Sequence, residues 1–312
     1  MPNTKPWTAD DMPDLSGKIV IVTGGNSGIG YEAALQFARK KARTILACRS
    51  LDKANAAAAQ IVAANPGATV EVMELDLSSL ASIRSFADAF HKSHQSLEVL
   101  VNNAGVMALP YRKTVDGFEM QFGTNHLGHF ALTGLLLDAL LATAGARVVN
   151  VGSGAHRMGR IRFDDLQWER TYYKWFAYGQ SKLANLLFTL ELQRRADAAH
   201  AKLLTAACHP GYAATNLQAA GARMKGSSAM ESVWATLNGM FAQSAAMGAL
   251  PTLYAATSPE VHGGDYIGPD GMAELWGHPT QVNPSAAAKD VDAAAKLWRI
   301  SEQLTKVHYS FS

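Results

Sequence analysis

Lys18-Ile19-Val20-Ile21-Val22-Thr23-Gly24-Gly25-Asn26-Ser27-Gly28-Ile29-Gly30 is the stretch on which the fold turns. Up to Thr23 it is mostly β-branched, the composition of a short buried strand. The glycines that follow let the backbone turn tightly. From residue 29 to 41 the apolar side chains Ala33, Ala34, Phe37 and Ala38 recur at helical spacing. A lone glycine-rich loop is a weak signal, but a strand before it and a helix after it supply the context that matters. The helix N-terminus offers unpaired amides, and the missing side chains let a pyrophosphate approach closely. Thr23, Gly24, Asn26, Ser27, Gly28, Ile29 and Gly30 are therefore candidate cofactor-binding positions.

Outward from this unit the pattern alternates. Further strands are predicted at 44–48, 69–75, 97–101, 146–151, 202–208 and 265–267, with helices at 51–64, 81–91, 124–143, 177–199 and from 244 onward. Asn65, Pro66 and Gly67 stop the second helix. Such alternation implies an α/β fold: a single Rossmann-type doubly wound sheet of about seven parallel strands flanked by helices. No internal repeat and no linker rich in glycine, serine or charge divides the chain, so residues 1–312 are expected to form one dinucleotide-binding catalytic domain.

Composition sets the outer limits. At 312 residues and 48% hydrophobic, the chain can bury a full core. Its 28 basic and 26 acidic residues leave a formal charge of +2 without clustering, which argues against nucleic acid and for small-molecule partners. Cys48 and Cys208 each end a strand-like run and read as buried free thiols in a reducing, cytoplasmic setting. Residues 1–16 lack the apolar core of a signal peptide. The most apolar helix candidate, 131–142, is short and interrupted by Asp138, so it is expected to be buried in protein and no integral membrane segment is expected.

Tyr178-Gly179-Gln180-Ser181-Lys182 carries the chemistry. Residues four apart share one helix face, so both Tyr178 and Lys182 can point into one cleft. A free tyrosine titrates near about 10, and a nearby ammonium favours the phenolate and lowers that value. In isolation the pair would be a solvated helix face. His126 and His129 sit three apart on a helix, yet no third ligand cluster accompanies them, so they read as structural and no metal is expected. His156 and His209 lack an acid/base partner in sequence and read the same way. Gly25-Asn26-Ser27-Gly28 is not the Gly-x-Ser-x-Gly elbow of a serine nucleophile.

These motifs together resemble the short-chain dehydrogenase/reductase family. The spacing of Thr23, Gly24, Gly28 and Gly30 is similar to its cofactor loop. Asp76-Leu77 resembles its adenine-contacting pair, and Asn102-Asn103-Ala104-Gly105 its turn beside the adenine ribose. Asn125, Ser153, Tyr178 and Lys182 match its catalytic residues. Pro210-Gly211 with Thr215 resembles the loop that holds the nicotinamide carboxamide. The match spans 18–217 in one order. The segments 47–49, 125–130, 181–185 and 209–211 look most like the retinol dehydrogenase and protochlorophyllide reductase branch.

The resemblance implies hydride transfer between a nicotinamide and a carbonyl carbon. Tyr178 is then general acid or base. Lys182 lowers its pKa and binds ribose, Ser153 orients the substrate oxygen, and Asn125 supports a water relay. At the end of the second strand stands Arg49, where a carboxylate would favour NAD; its guanidinium attracts a 2′-phosphate, and NADP(H) is the expected cofactor. The aromatics of 157–177 (Phe163, Trp168, Tyr172, Tyr173, Trp175, Phe176) either roof an apolar pocket or pack their loop on the body. A methionine-bearing stretch around 218–243 falls where the family has its variable substrate lid. A fairly hydrophobic aldehyde, ketone or alcohol is the expected partner. The competing class is a catalytically silent dinucleotide sensor, against which the retention of all four chemical residues speaks. The fold commonly pairs its fifth and sixth helices between subunits, which leaves a homo-oligomer open.

Overall fold

The computed structural model describes residues 5–212 and 243–311. Thr215 and residues 218–242 of the expected lid lie outside the described residues.

An eight-stranded sheet runs in the order β3-β2-β1-β4-β5-β6-β7-β8. Its strands are β1 Ile19–Thr23, β2 Arg43–Cys48, β3 Val70–Glu74, β4 Val99–Asn102, β5 Ala146–Val151, β6 Leu203–Cys208, β7 Tyr266–Pro269 and β8 Pro279–Gln281. The first seven pair in parallel. The eighth adds an antiparallel edge to β7 that the sequence pattern does not announce, being short and opened by a proline, which only an edge strand tolerates. Side chains alternate across the sheet: Val20 and Val22 enter a core with Phe37 and Leu253, while Ile21 enters the opposite core with Phe86 and Phe130. Both faces are therefore covered, as a parallel sheet requires.

Helices α1 Gly28–Arg39, α2 Leu51–Ala64 and α3 Leu80–Ser93 follow the first three strands. The helix expected at 124–143 is instead segmented. A short α4, Met120–Phe122, runs into a π-helical turn, Gly123–Leu127, then α5 Gly128–Leu135 and α6 Leu137–Leu141. In the π turn the Gly128 amide reaches back five residues to the Gly123 carbonyl. The turn is pressed against the end of β3: a Cβ on Gly128 would lie 2.5 Å from the Leu77 carbonyl oxygen. Helix α7, Lys174–Ala198, begins before its expected start and carries Tyr178 and Lys182.

Helix α8, Ala245–Thr257, packs against α1. The final helix α9, Val291–Thr305, lies on α7. Its Trp298 meets the ring of Phe130 at 5.1 Å, and Tyr309 beyond it donates to the Phe130 carbonyl at 2.6 Å. The C-terminal segment thus covers outward faces of α5 and α7.

Candidate active site

Because the order of strands reverses between β1 and β4, a crevice opens at their carboxyl ends. Thr23 closes its floor. Its hydroxyl accepts the amides of Asn103 and Ala104, each at 2.9 Å, and Asn103 Nδ2 donates to the Thr23 carbonyl at 2.8 Å. Gly24 and Gly28 have φ of 66° and 56°, in the left-handed region that favours glycine. A Cβ on Gly30 would lie 2.5 Å from both Asn103 Nδ2 and the Gly24 carbonyl oxygen. Ser27 caps α1 without a side-chain hydrogen bond, leaving its first amides for a ligand. Beneath the turn sits Cys48; burial pushes its thiol up to about 11, against the pull of the Asn26, Gly25 and Gly24 amides. Bare backbone, positive φ and free amides fit a dinucleotide pyrophosphate.

Arg49 is exposed and makes no hydrogen bond or ion pair among the described residues. Asp76 Oδ1 accepts from the Ser78 amide at 2.9 Å and the Ser78 hydroxyl at 2.7 Å, while Leu77 is buried. Pro210 and Gly211 follow β6. Gly211 has φ 64° and packs on the Leu275 carbonyl, and the Pro210 carbonyl accepts from Gln243.

The four candidate chemical residues converge. Lys182 Nζ donates to the Val151 carbonyl at 2.9 Å and lies 5.8 Å from the centre of the Tyr178 ring. Ser153, just past β5, is the side chain that draws the Tyr178 phenol down. Asn125 accepts from the Val106 amide at 2.8 Å and donates to the Val106 carbonyl and the Ser181 hydroxyl, both at 2.9 Å. Gly105 fits between them: a Cβ there would lie 3.1 Å from Asn125 Oδ1 and 3.7 Å from Lys182 Nζ.

Burial pushes the Tyr178 phenol up to about 12, and the opposing pull comes from Ser153. Burial also brings Lys182 down to about 8. Both side chains are nearly sealed from solvent, and desolvation is the larger cause of each shift. The Asn125 side chain is engaged by Val106 and the Ser181 hydroxyl, and its main-chain carbonyl lies 3.0 Å from His129 Nδ1.

Two histidines that sequence spacing leaves without partners find them here, one of them on Ser153. His156 Nδ1 lies 2.8 Å from the Ser153 carbonyl, and its Nε2 accepts from the Ser285 amide at 3.1 Å. His209 Nε2 lies 3.1 Å from Glu274, which also pairs with Arg157 at 3.0 Å. Ser153 is three residues from His156, but Ser285 and Glu274 lie far away in sequence, where no local motif reaches.

With this geometry in place, comparison with known proteins is direct. A family profile for short chain dehydrogenase matches residues 18–225. The chain belongs to that family. It is 40% identical over 297 residues to retinol dehydrogenase 12 of Mus musculus, covering 95% of this chain and 88% of that protein. Human retinol dehydrogenase 13 is 42% identical over 293 residues, covering 93% and 85%. The structure superposes on an uncharacterised protein of Mycobacterium paratuberculosis with TM-score 0.81 at 45% identity, covering 98% and 100%. Pseudomonas aeruginosa RhlG in its NADP active-site complex gives TM-score 0.54 at 27% identity, covering 67% of this chain and 77% of that one. The protein is thus a short chain dehydrogenase of the retinol dehydrogenase branch, an oxidoreductase of alcohol and carbonyl groups that uses a nicotinamide dinucleotide.

In this short chain dehydrogenase the aromatic segment 157–177 divides into residues packed on the body and residues left partly exposed. Trp168 is buried under the Arg162 guanidinium, 4.4 Å from its ring centre. The Tyr172 hydroxyl donates to the Leu109 carbonyl at 2.9 Å and accepts from Gln121 at 2.8 Å. Tyr173, Trp175 and Phe176 instead stay about half exposed, with Trp175 edge-on to Tyr178 at 6.3 Å. Phe163, Trp168 and Phe176 also line an open groove of 820 Å³ bordered by Arg160 and Lys296. No described helix is long and apolar enough to cross a membrane.

Proposed function

We propose that this dehydrogenase interconverts a hydrophobic aldehyde or ketone and its alcohol with NADP(H), using Asn125, Ser153, Tyr178 and Lys182. The observation that carries the proposal is the approach of the buried Lys182 Nζ to the Tyr178 ring, 5.8 Å from its centre, on the floor formed by Val151 and Gly105, with Ser153 as the side chain that draws the phenol down. The nicotinamide cofactor, when bound, supplies or accepts the hydride at the carbonyl carbon. In the reducing direction Tyr178 donates its proton to the substrate oxygen. A phenol held near 12 is protonated at neutral pH and available for that transfer. Ser153 donates a hydrogen bond to the same oxygen and fixes its position against Tyr178. Lys182, anchored on the Val151 carbonyl, keeps an ammonium beside the ribose and the phenol. The main-chain carbonyl of Asn125 is the acceptor on which the water relay ends.

Arg49 supports the choice of NADP(H): it is exposed, unengaged among the described residues, and follows β2 where the adenosine ribose of a dinucleotide comes to rest. Hydrophobic substrates are supported by relatives named retinol dehydrogenases and by the exposed aromatics next to Tyr178. The test is a panel of apolar and small charged carbonyls with NADPH and NADH, for wild type and Arg49→Ala. The expected result is turnover of apolar carbonyls, NADPH preference, and a roughly tenfold loss in kcat/KM for NADPH alone on removing Arg49, the scale of one charge-assisted contact. Preference for NADH or for small charged substrates overturns the reading. NADPH binding without turnover across the panel points to a sensor instead.

A further inference from the structure

His129 is 1% exposed, and the chemistry above makes no use of it. Its two ring nitrogens face two parts of the site. Nδ1 lies 3.0 Å from the Asn125 carbonyl oxygen, and Nε2 lies 3.0 Å from the Thr23 hydroxyl. We infer that His129 is a positioning residue that joins the Asn125 carbonyl to the cofactor turn, through one hydrogen bond on each side of its ring.

The proton arrangement follows from the partners. A carbonyl oxygen can only accept, so Nδ1 carries the hydrogen. Burial brings the imidazole down to about 4, so the ring is neutral and Nε2 has no hydrogen. Nε2 therefore accepts the Thr23 hydroxyl proton in preference to the weaker 3.3 Å contact that hydroxyl makes with the Val101 carbonyl. The Thr23 oxygen is then free to accept the amides of Asn103 and Ala104. Every donor points the same way, from Asn103 and Ala104 through Thr23 and His129 to Asn125, an order in which successive bonds reinforce one another. The line crosses from β1 and β4 to the π turn. The turn that receives the dinucleotide and the carbonyl that ends the proton relay are thus held by one side chain.

This inference rests on the reading of Asn125 and the Thr23 turn given above, so its tests separate the two. The first needs no activity: ¹⁵N NMR of histidine-labelled protein at neutral pH. It should show His129 as the neutral Nδ1–H tautomer, with Nε2 shifting in Thr23→Val; an Nε2–H tautomer or an insensitive Nε2 overturns the coupling. The second divides the two bonds. His129→Asn keeps a short donor toward Asn125 but loses the acceptor for Thr23. Its deficit should fall mainly on the NADPH dissociation constant, about three- to tenfold by fluorescence. His129→Gln reaches Thr23 but not Asn125, and its deficit should fall mainly on kcat. In a double-mutant cycle, Thr23→Val and His129→Asn should not add. Equal effects of both substitutions on both quantities, or additivity, reduce His129 to packing. If wild type binds NADPH yet reduces no carbonyl, the functional reading fails, while the tautomer and the binding cycle still decide the role of His129.

Discussion

The turn after β1 and the segment after β5 lie at the same carboxyl end of the parallel sheet, and they are made of opposite materials. Between Thr23 and Gly30 the working surface is backbone: two left-handed glycines, uncapped amides, and a position where even one Cβ would strike Asn103 and Gly24. From Ser153 to Lys182 the working surface is side chains: a hydroxyl, a phenol, an ammonium and six aromatics. Backbone geometry can receive a dinucleotide with little rearrangement but offers no proton at neutral pH. The side chains offer protons, and their burial sets which form each holds. In the proposed function pyrophosphate binding and proton transfer fall to different materials, and the two regions are joined where Asn103, Thr23 and His129 meet Asn125.

The largest test of that division is Tyr178→Phe, which keeps the ring and removes the transferable proton. The expected loss in kcat is about 10²–10⁴-fold, the range ascribed to a positioned acid or base. The NADPH dissociation constant should stay within about twofold, because the turn loses nothing. A parallel loss in both would mean that binding and chemistry are not separable here.

Next in size is the response to pH. Lys182 is brought down to about 8, so its ammonium is present below that value and lost as pH rises through it. Tyr178, held near 12, does not ionise in that range. The value of kcat/KM for NADPH, which reports ionisations of the free enzyme, should fall by about tenfold per unit above pH 8. Lys182→Arg keeps a charge that does not titrate there and should move the limb to higher pH. A limb that remains near 8 in Lys182→Arg would assign it to another group.

The same division explains what the sequence discloses. Glycine spacing after a β-branched run is a local signal of a backbone site, and the parallel sheet follows from the alternation of short apolar runs and helical faces. Tyr178 and Lys182 are legible as a pair because helix geometry alone puts them on one face. Three features are not legible, each because a distant partner decides it. Beside the π turn at Asn125, Gly128 packs closely on Leu77, a residue distant in sequence. The direction of the Tyr178 shift depends on burial, which spacing does not measure. His129 resembles any core histidine until Thr23 and the Asn125 carbonyl are placed on its two nitrogens. Of the two outcomes foreseen for the aromatic segment, packing holds for Trp168 and Tyr172, while Tyr173, Trp175 and Phe176 stay about half exposed.

That division within the segment yields the finest test. Tyr172 binds the segment to the body through Leu109 and Gln121, and its hydroxyl is also 3.2 Å from the buried Glu119. Burial raises the Glu119 carboxyl, and the Tyr172 hydroxyl is among the groups that draw it back down. Tyr172→Phe leaves these groups short of a partner and should cost about 1–3 kcal/mol of stability, read as a lower denaturation midpoint. Trp175 is 48% exposed and touches Tyr178 only edge-on. Trp175→Ala should leave the midpoint unchanged and raise KM for an apolar carbonyl about two- to tenfold, the worth of one aromatic contact. If Trp175→Ala lowers the midpoint and leaves KM alone, the outward aromatics are packing after all. The side-chain half of the site would then take its substrate contacts from elsewhere.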